Sequence, residues 1–185
     1  HNSSGENDTI KVHIGTYNEH ITVDHSIALI GITQFDEKPI LDGSGSGRIL
    51  TAEDDDGIEI WIKDLTFQNG YSSGDGGAIY SFYPATTVLN CDFLNNTGSI
   101  GGAINIHDTE SIIKNCYFEG NIGGAGGAIA IWGGAIDSCT FVNNEGSNGG
   151  AIIIEDNVSV KWSLFVNNTA SSKGGAIYIT STGAD

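Results

Sequence analysis

The residues with the most obvious chemical potential form the acidic run Glu53–Asp56. Paired carboxylates hydrolyse glycosidic bonds, and a polysaccharide lyase needs Ca²⁺-binding carboxylates together with a basic residue that removes a proton. Arg48, the only arginine, and Lys63 are the nearest basic residues along the chain. Because no catalytic motif joins these residues, we expect no catalytic residue here and interpret the run as a solvated acidic turn. A polysaccharide lyase or hydrolase stays as the less favoured alternative.

Metal and cofactor sites lack their usual spacing in this sequence. The acidic run departs from the EF-hand pattern, since Ala52 would occupy the first ligand position and Lys63 the twelfth. The five histidines form no HExxH or HxH motif, and the three cysteines include no CxxC pair. We therefore expect no metal site and no cofactor, with a weak Ca²⁺ site at the acidic run as the open alternative.

The charge balance excludes several classes of partner. The chain has 23 acidic and 7 basic residues, which gives a net charge of −16. Nucleic-acid binding needs a basic stripe, and adsorption to anionic lipid needs a polybasic segment, so we expect neither. No run approaches the ~20 apolar residues of a membrane span, so we expect no membrane insertion. A strongly acidic surface is typical of soluble extracellular proteins.

Two interlocked motifs organise most of the chain. Gly-Gly-Ala-Ile recurs at 76–79, 101–104, 126–129, 149–152 and 174–177. A phenylalanine recurs between the tetrads, at Phe67, Phe93, Phe118, Phe141 and Phe165. An asparagine follows three residues after the last four phenylalanines, at Asn96, Asn121, Asn144 and Asn168. Because both motifs keep the same phase, they indicate one structural repeat rather than compositional bias.

The repeat predicts an all-β fold, a right-handed single-stranded parallel β-helix of roughly seven coils. Short apolar runs alternate with glycine pairs and asparagines, which favours brief strands separated by tight turns, about three strands to a coil of 23–26 residues. We expect one domain over residues 1–185, with less regular opening coils at 1–66 and regular repeats at 67–185. The asparagines should stack from coil to coil as a structural ladder, and Asn121→Ala should cost about 1 kcal/mol.

Period-2 alternation separates inward from outward positions. One inward position contains the cysteines, in the order Leu65, Cys91, Cys116, Cys139 and Ser163. Because leucine shares this position, we expect free buried thiols, although stacked cysteines leave one disulfide open. The outward positions of the Gly-Gly-Ala-Ile strand contain a candidate contact surface for a glycan or a neighbouring protein, formed by Tyr80, Phe82, Trp132 and Tyr178.

Five Asn-x-Ser/Thr motifs are candidate N-glycosylation sites. They begin at Asn2, Asn7, Asn95, Asn157 and Asn167. Asn95 and Asn167 each precede a ladder asparagine, so alternation points both side chains outward. Chance matches in a chain rich in asparagine, serine and threonine are the equal alternative.

The paired GGAI and FxxN motifs resemble the repeat of the chlamydial polymorphic outer-membrane proteins, and they are similar to adhesin-like surface proteins of methanogenic archaea. The resemblance covers Phe67–Ile179. It implies a β-helical, adhesive module that is extracellular or displayed on the cell surface.

Two non-enzymatic functions therefore compete on the sequence. The first is an adhesive or surface-displayed scaffold that binds a cell-surface or glycan ligand. The second is a structural subunit that polymerises end to end into a filament, sheath or surface layer, because an uncapped solenoid exposes strand edges that can pair with other copies of itself. Either the chain is part of a longer solenoid or it meets a partner at its ends.

Overall fold

The computed structural model describes residues 8–53 and 57–180, which form short strands and, within those ranges, no helix. In chain order the strands are β1 Asp8–Val12, β2 Thr16–Asn18, β3 Ile21–Val23, β4 Ile27–Gly31, β5 Ile40–Asp42, β6 Leu50–Glu53, β7 Glu59–Lys63, β8 Thr66–Gln68, β9 Ile79–Phe82, β10 Ala85–Leu89, β11 Asp92–Leu94, β12 Thr97–Ile100, β13 Ile104–His107, β14 Ile112–Lys114, β15 Tyr117–Glu119, β16 Ile122–Ala125, β17 Ile129–Ile131, β18 Gly134–Asp137, β19 Thr140–Val142, β20 Glu145–Asn148, β21 Ile152–Ile154, β22 Val158–Lys161, β23 Leu164–Val166, β24 Thr169–Lys173 and β25 Ile177–Ile179.

These strands form four parallel sheets, each built from equivalent strands of successive coils. Sheet 1 has the order β1-β4-β7-β10-β14-β18-β22, and sheet 2 has the order β2-β5-β8-β11-β15-β19-β23. Sheet 3 has the order β12-β16-β20-β24, and sheet 4 has the order β3-β6-β9-β13-β17-β21-β25. Because every strand pairs with its equivalent one coil away, the chain winds as the predicted right-handed parallel β-helix, with about six turns between its first and last strands.

The prediction of about three strands in each coil is wrong for the later coils, which contain four. The additional strands form sheet 3, and their sequences are TGSI, IGGA, EGSN and TASSK. Glycine and serine have low strand propensity, so sequence alone indicates turns here. The stacked coils hold these segments extended through backbone hydrogen bonds, such as Ile122 N–H to the Asn96 carbonyl at 2.9 Å.

A ladder of phenylalanine rings runs through the core next to sheet 2. Neighbouring ring centroids lie 4.8–5.1 Å apart, and the ring planes differ by 5–9°. Phe67, Phe93, Phe118 and Phe141 are fully buried. Burying a side chain of this size contributes about 1.5–3 kcal/mol, so the ladder is a principal source of stability.

The four repeated asparagines form a second ladder, in the turn between sheets 2 and 3. Asn121 Nδ2 donates to the Phe93 carbonyl at 3.0 Å and to Asn144 Oδ1 at 2.9 Å. Its Oδ1 accepts from the backbone N–H and the side-chain Nδ2 of Asn96, both at 3.0 Å. Asn144 makes the equivalent bonds to Asn168. Each amide therefore joins two coils and satisfies backbone groups that would otherwise be buried without partners.

The glycine pairs make the tight turn that leads into sheet 4. Gly101 has φ of +65°, a left-handed conformation that glycine adopts without strain. Gly102 has no positive φ, but a Cβ at this position would overlap the carbonyl oxygen of Gly127 in the next coil. The first glycine is therefore required by conformation and the second by the close stacking of the coils.

Candidate functional site

An aromatic ridge lies on the outer face of sheet 4. It is formed by Tyr80, Phe82, His107 and Trp132, and it crosses three successive coils. Phe82 pairs with His107 across β9 and β13, and the Trp132 backbone N–H donates to the Ile106 carbonyl at 3.2 Å, which aligns Trp132 with His107. The backbone register therefore brings together rings that are up to 52 residues apart in the sequence.

The rings of the ridge contact one another closely. The His107 and Trp132 centroids lie 3.5 Å apart with planes 19° from parallel, and the Phe82 and His107 centroids lie 4.8 Å apart. Tyr80 and Phe82 stack at 6.2 Å, and the exposed Tyr83 packs edge-on against Phe82 at 4.3 Å. These half-buried rings form a rigid apolar surface that needs little further ordering when it meets a ligand.

Charged groups border this ridge on its Tyr80 side. The Arg48 guanidinium carbon lies 4.8 Å from the centre of the Tyr80 ring, a cation–π distance. Arg48 also donates to the carbonyls of Asp75 and Gly76, which fixes the guanidinium in place. Burial, with the nearby charges of Glu53 and Asp75, raises the pKa of Tyr80. Arg48 therefore supports the Tyr80 end of the ridge.

Two buried polar atoms next to the ridge have no hydrogen-bond partner among the described residues. They are Asn105 Oδ1 and His107 Nε2, at successive outward positions of β13. Burial lowers the pKa of His107, and the Asp75 charge partly opposes this, so the ring is mainly neutral at pH 7. An unsatisfied buried polar group costs about 1–3 kcal/mol, so a water molecule or a ligand hydroxyl that reached these atoms would be stabilised.

The four residues of the predicted contact surface do not form one continuous patch on sheet 4. Tyr178 belongs to β25, four strands away from Tyr80 in sheet 4, so it lies about 19 Å from Tyr80 at ~4.8 Å per strand. Between Tyr80 and Tyr178, the outward residues Asn105, Ala130 and Ile153 are buried. The glycine-pair turns fold onto this face: a Cβ on Gly101 would contact the Ala130 backbone nitrogen and one on Gly126 would contact Ile153.

The glycosylation motifs fall into two groups. Asn95, Asn157 and Asn167 are exposed, and Asn95 and Asn167 adopt positive φ in the turn that precedes the asparagine ladder. Asn2 and Asn7 lie outside the described residues. Glycosylation at the three exposed positions stays a prediction.

The three cysteines are free and buried. Their sulfurs point into the core, where Cys116 Sγ lies 3.6 Å from the Val88 carbonyl and Cys139 Sγ lies 3.6 Å from the Ile113 carbonyl. Burial raises the pKa of Cys91 to about 12 and also raises the pKa of Cys116. The hydrogen bond with Cys116 lowers the pKa of Cys139. Cys91 and Cys116 therefore pack as small apolar side chains and are poor nucleophiles.

The acidic run contributes little to the described structure. Asp54–Asp56 lie outside the described residues, and Glu53 lies at the exposed end of β6. Within residues 8–53 and 57–180, no group of three or more His, Cys, Asp or Glu side chains could hold a metal ion. Weak Ca²⁺ binding by the run stays untested.

The outer face of sheet 1 contains a row of lysines that the sequence analysis did not identify. Lys11, Lys63, Lys114 and Lys161 occupy one outward position on alternate strands, with Ile30, Leu89 and Asp137 on the strands between them. The sequence does contain a signal, because Lys63, Lys114 and Lys161 each lie two residues before the cysteine position. Recognising the row requires the outward positions to be aligned as carefully as the core.

The topology and the repeats define the chain as a parallel β-helix repeat protein. Residues 163–180 match the family model of the Chlamydia polymorphic membrane protein repeat, which confirms the resemblance to the chlamydial repeat for this segment. The repeat family indicates a surface-displayed β-helix protein. The similarity to archaeal surface proteins stays a prediction. No curated protein and no solved structure matches the chain significantly. The described residues include no helix that is long and apolar enough to span a membrane.

Proposed function

We propose that the chain is a non-enzymatic, extracellular or surface-displayed adhesive module that binds its target through the aromatic ridge. The observation that carries this proposal is the alignment of Tyr80, Phe82, His107 and Trp132 from three coils into one surface. Aromatic side chains dominate the binding energy of protein and glycan contact surfaces, because they bury a large area at a small cost in conformational entropy. The match to a repeat of surface proteins supports the same proposal.

The partner chemistry follows from the composition of the ridge. Pyranose rings present apolar C–H faces that stack on aromatic rings such as those of Phe82 and Trp132. A cell-surface glycan or glycoprotein therefore fits this surface. The scaffold contributes rigidity, because the backbone of every ridge strand is hydrogen-bonded to both neighbouring coils.

Binding of the purified chain to cells and to an array of immobilised glycans tests this proposal. Trp132→Ala should lower the affinity at least about tenfold, since loss of an anchor aromatic costs ~2 kcal/mol. Phe35→Ala is the matched control, because Phe35 is 91% exposed and lies between β4 of sheet 1 and β5 of sheet 2 rather than on sheet 4. The proposal fails if the wild-type chain binds nothing, or if both variants lose binding equally.

The proposal that the chain is not an enzyme has a separate test. Incubation of the chain with polygalacturonate should release neither unsaturated uronate nor new reducing ends. Release of either product, abolished by Asp54→Asn with Asp55→Asn, would establish the alternative of a polysaccharide lyase or hydrolase.

A second proposed function is end-to-end assembly into a structural polymer. Phe165 and Ile177 are only partly buried, whereas their equivalents Phe141 and Ile152 one coil earlier are fully buried. A further coil, whether of the same chain or of another copy, would cover this apolar edge and pair with its strands, and we propose another copy. Electron microscopy and light scattering over a concentration series test this: ordered fibres support assembly, and a monomer at every concentration contradicts it.

A further inference from the structure

We propose that the outer face of sheet 1 binds a linear acidic polysaccharide that runs along the solenoid axis over the lysine row. This site is separate from the aromatic ridge and does not depend on the function proposed for it. The occupant is identified by charge complementarity, by the spacing of the lysines and by an exposed tryptophan beside them.

The spacing comes from the strand register. Each lysine of the row lies two strands from the next, because one strand of sheet 1 intervenes between them. The row runs in the order Lys11, Lys63, Lys114 and Lys161. Two interstrand distances amount to about 9.6 Å. The parallel strands keep the row straight, so it presents ammonium groups at a regular interval over four positions. This geometry suits an extended polymer with a repeated anion rather than a compact ligand.

The local charge is opposite to that of the chain as a whole. Six lysines and one arginine are all the cations of a chain with a net charge of −16, and four of the lysines lie in this row. Among the outward positions of the sheet 1 strands, only Glu59 and Asp137 are acidic. With Asp64 beside Lys63 also counted, four lysines face three carboxylates, which leaves a small positive excess on this face. The surrounding negative surface is screened beyond a Debye length of about 8 Å at physiological salt.

The lysines can still bind a ligand, although acidic side chains lie beside two of them. Lys63 Nζ lies 3.6 Å from Asp64 and Lys114 Nζ lies 2.9 Å from Asp137, yet their side chains are 52% and 46% exposed. Exposed ion pairs of this kind contribute little to stability, so each lysine can readily exchange its carboxylate partner for an anion of the ligand. Lys11 and Lys161 form no salt bridge with any of the described residues.

Trp61 supplies the apolar contact that a sugar chain needs. It occupies the outward position next to the lysine row, two residues before Lys63, and is 43% exposed. Its neighbours on the adjoining strands are the small residues Ala28 and Thr87. The indole ring is therefore partly open to solvent, so a pyranose can stack on it while its carboxylate or sulfate reaches Lys63.

Nucleic acid fits this face less well. Duplex DNA has one negative charge per ~1.7 Å, so a chain with a net charge of −16 repels it far more than an acidic polysaccharide whose anions are more widely spaced. The row also contains no arginine, the residue that binds phosphate in bidentate geometry.

Titration calorimetry with size-defined chondroitin sulfate and polygalacturonate, at low and high salt, tests the proposal. The wild-type chain should bind at least one of the two polysaccharides at low salt, and this binding should disappear at high salt. Lys63→Gln with Lys114→Gln should weaken binding about tenfold and reduce the dependence on salt. Trp61→Ala should weaken binding without changing the salt dependence.

Two control variants test whether binding belongs to this face of the solenoid. Lys173→Gln removes the same charge from an exposed position in sheet 3 and should bind as the wild type does. Trp132→Ala should also keep full binding, which separates the lysine row from the aromatic ridge. Circular dichroism establishes that each variant is folded. The proposal is overturned by absence of binding at low salt, by equal loss in Lys173→Gln, by equal binding of neutral dextran, or by tighter binding of duplex DNA.

Discussion

The asparagine ladder makes the most direct quantitative prediction, the cost of Asn121→Ala. Asn121 is fully buried, and its side chain makes four hydrogen bonds, two to Asn96, one to the Phe93 carbonyl and one to Asn144. A net contribution of about 1 kcal/mol from each bond gives a loss of roughly 4 kcal/mol in the free energy of unfolding. This exceeds the cost of about 1 kcal/mol expected from one turn in isolation, because each ladder amide serves two coils.

Guanidinium unfolding followed by circular dichroism measures this loss. Asn168→Ala should cost less, since Asn168 is only partly buried and its side chain makes three of these bonds. Asn157→Ala is the control, because Asn157 is exposed and outside the ladder, and it should change stability by no more than about 0.5 kcal/mol. A cost below about 1 kcal/mol for Asn121→Ala would refute the reasoning.

The Asn121→Asp variant tests the same geometry through pH. The new carboxyl would face two oxygens, the Phe93 carbonyl and Asn144 Oδ1, in a buried site. Burial and these acceptors favour its protonated form, so its folded pKa lies above the unfolded value of about 3.9. The stability that the protonated form retains is fully present below about pH 4 and is lost as pH rises through the folded pKa. The deficit relative to the wild type should therefore grow from pH 4 to pH 7, and a deficit independent of pH would contradict this.

Three further predictions concern the core and the stacking of coils. Gly127→Ala should destabilise the chain strongly, because its Cβ would overlap the Gly150 carbonyl oxygen, whereas Gly175→Ala, with no atom within 4 Å of its Cβ, should be nearly neutral in thermal unfolding. Phe118→Ala should cost about 3–5 kcal/mol by chemical denaturation, since a ring stacked at 4.8 Å on each side is lost. Cys91 should not react with a thiol reagent at pH 8 until denaturant is added, because burial raises its pKa to about 12; rapid labelling of the folded chain would show that the thiol is exposed.

The sequence was a good guide to the interior of this protein. The recurrence of phenylalanine, asparagine and Gly-Gly-Ala-Ile at one period required equivalent residues to stack, and the parallel sheets place them in register. The same pattern failed for sheet 3, whose strands are rich in glycine and serine. These segments are extended because neighbouring coils pair with them, and local propensity contains no information about that pairing.

Recognising the candidate sites required the tertiary structure more than recognising the core did. Tyr80, Phe82 and Trp132 were recognisable as outward aromatics, but the stacking of His107 between Phe82 and Trp132 follows only from the register of β9, β13 and β17. Tyr178 occupies the same position in the repeat as Tyr80, yet the two rings lie apart because three strands, with buried residues at this position, intervene between them in sheet 4.

The sequence by itself determined the class of fold, the length of the repeat and the composition of the core, because a solenoid places each repeated residue on its own equivalent one coil later. Only the tertiary structure decided which outward residues are accessible and which lie side by side. The glycine-pair turns cover Ala130 and Ile153, while Trp61 and the lysine row stay open on sheet 1. The physical reason is that inward positions meet their own equivalents, whereas the outward surface depends on how the turns fold over each sheet and on which columns the winding brings together.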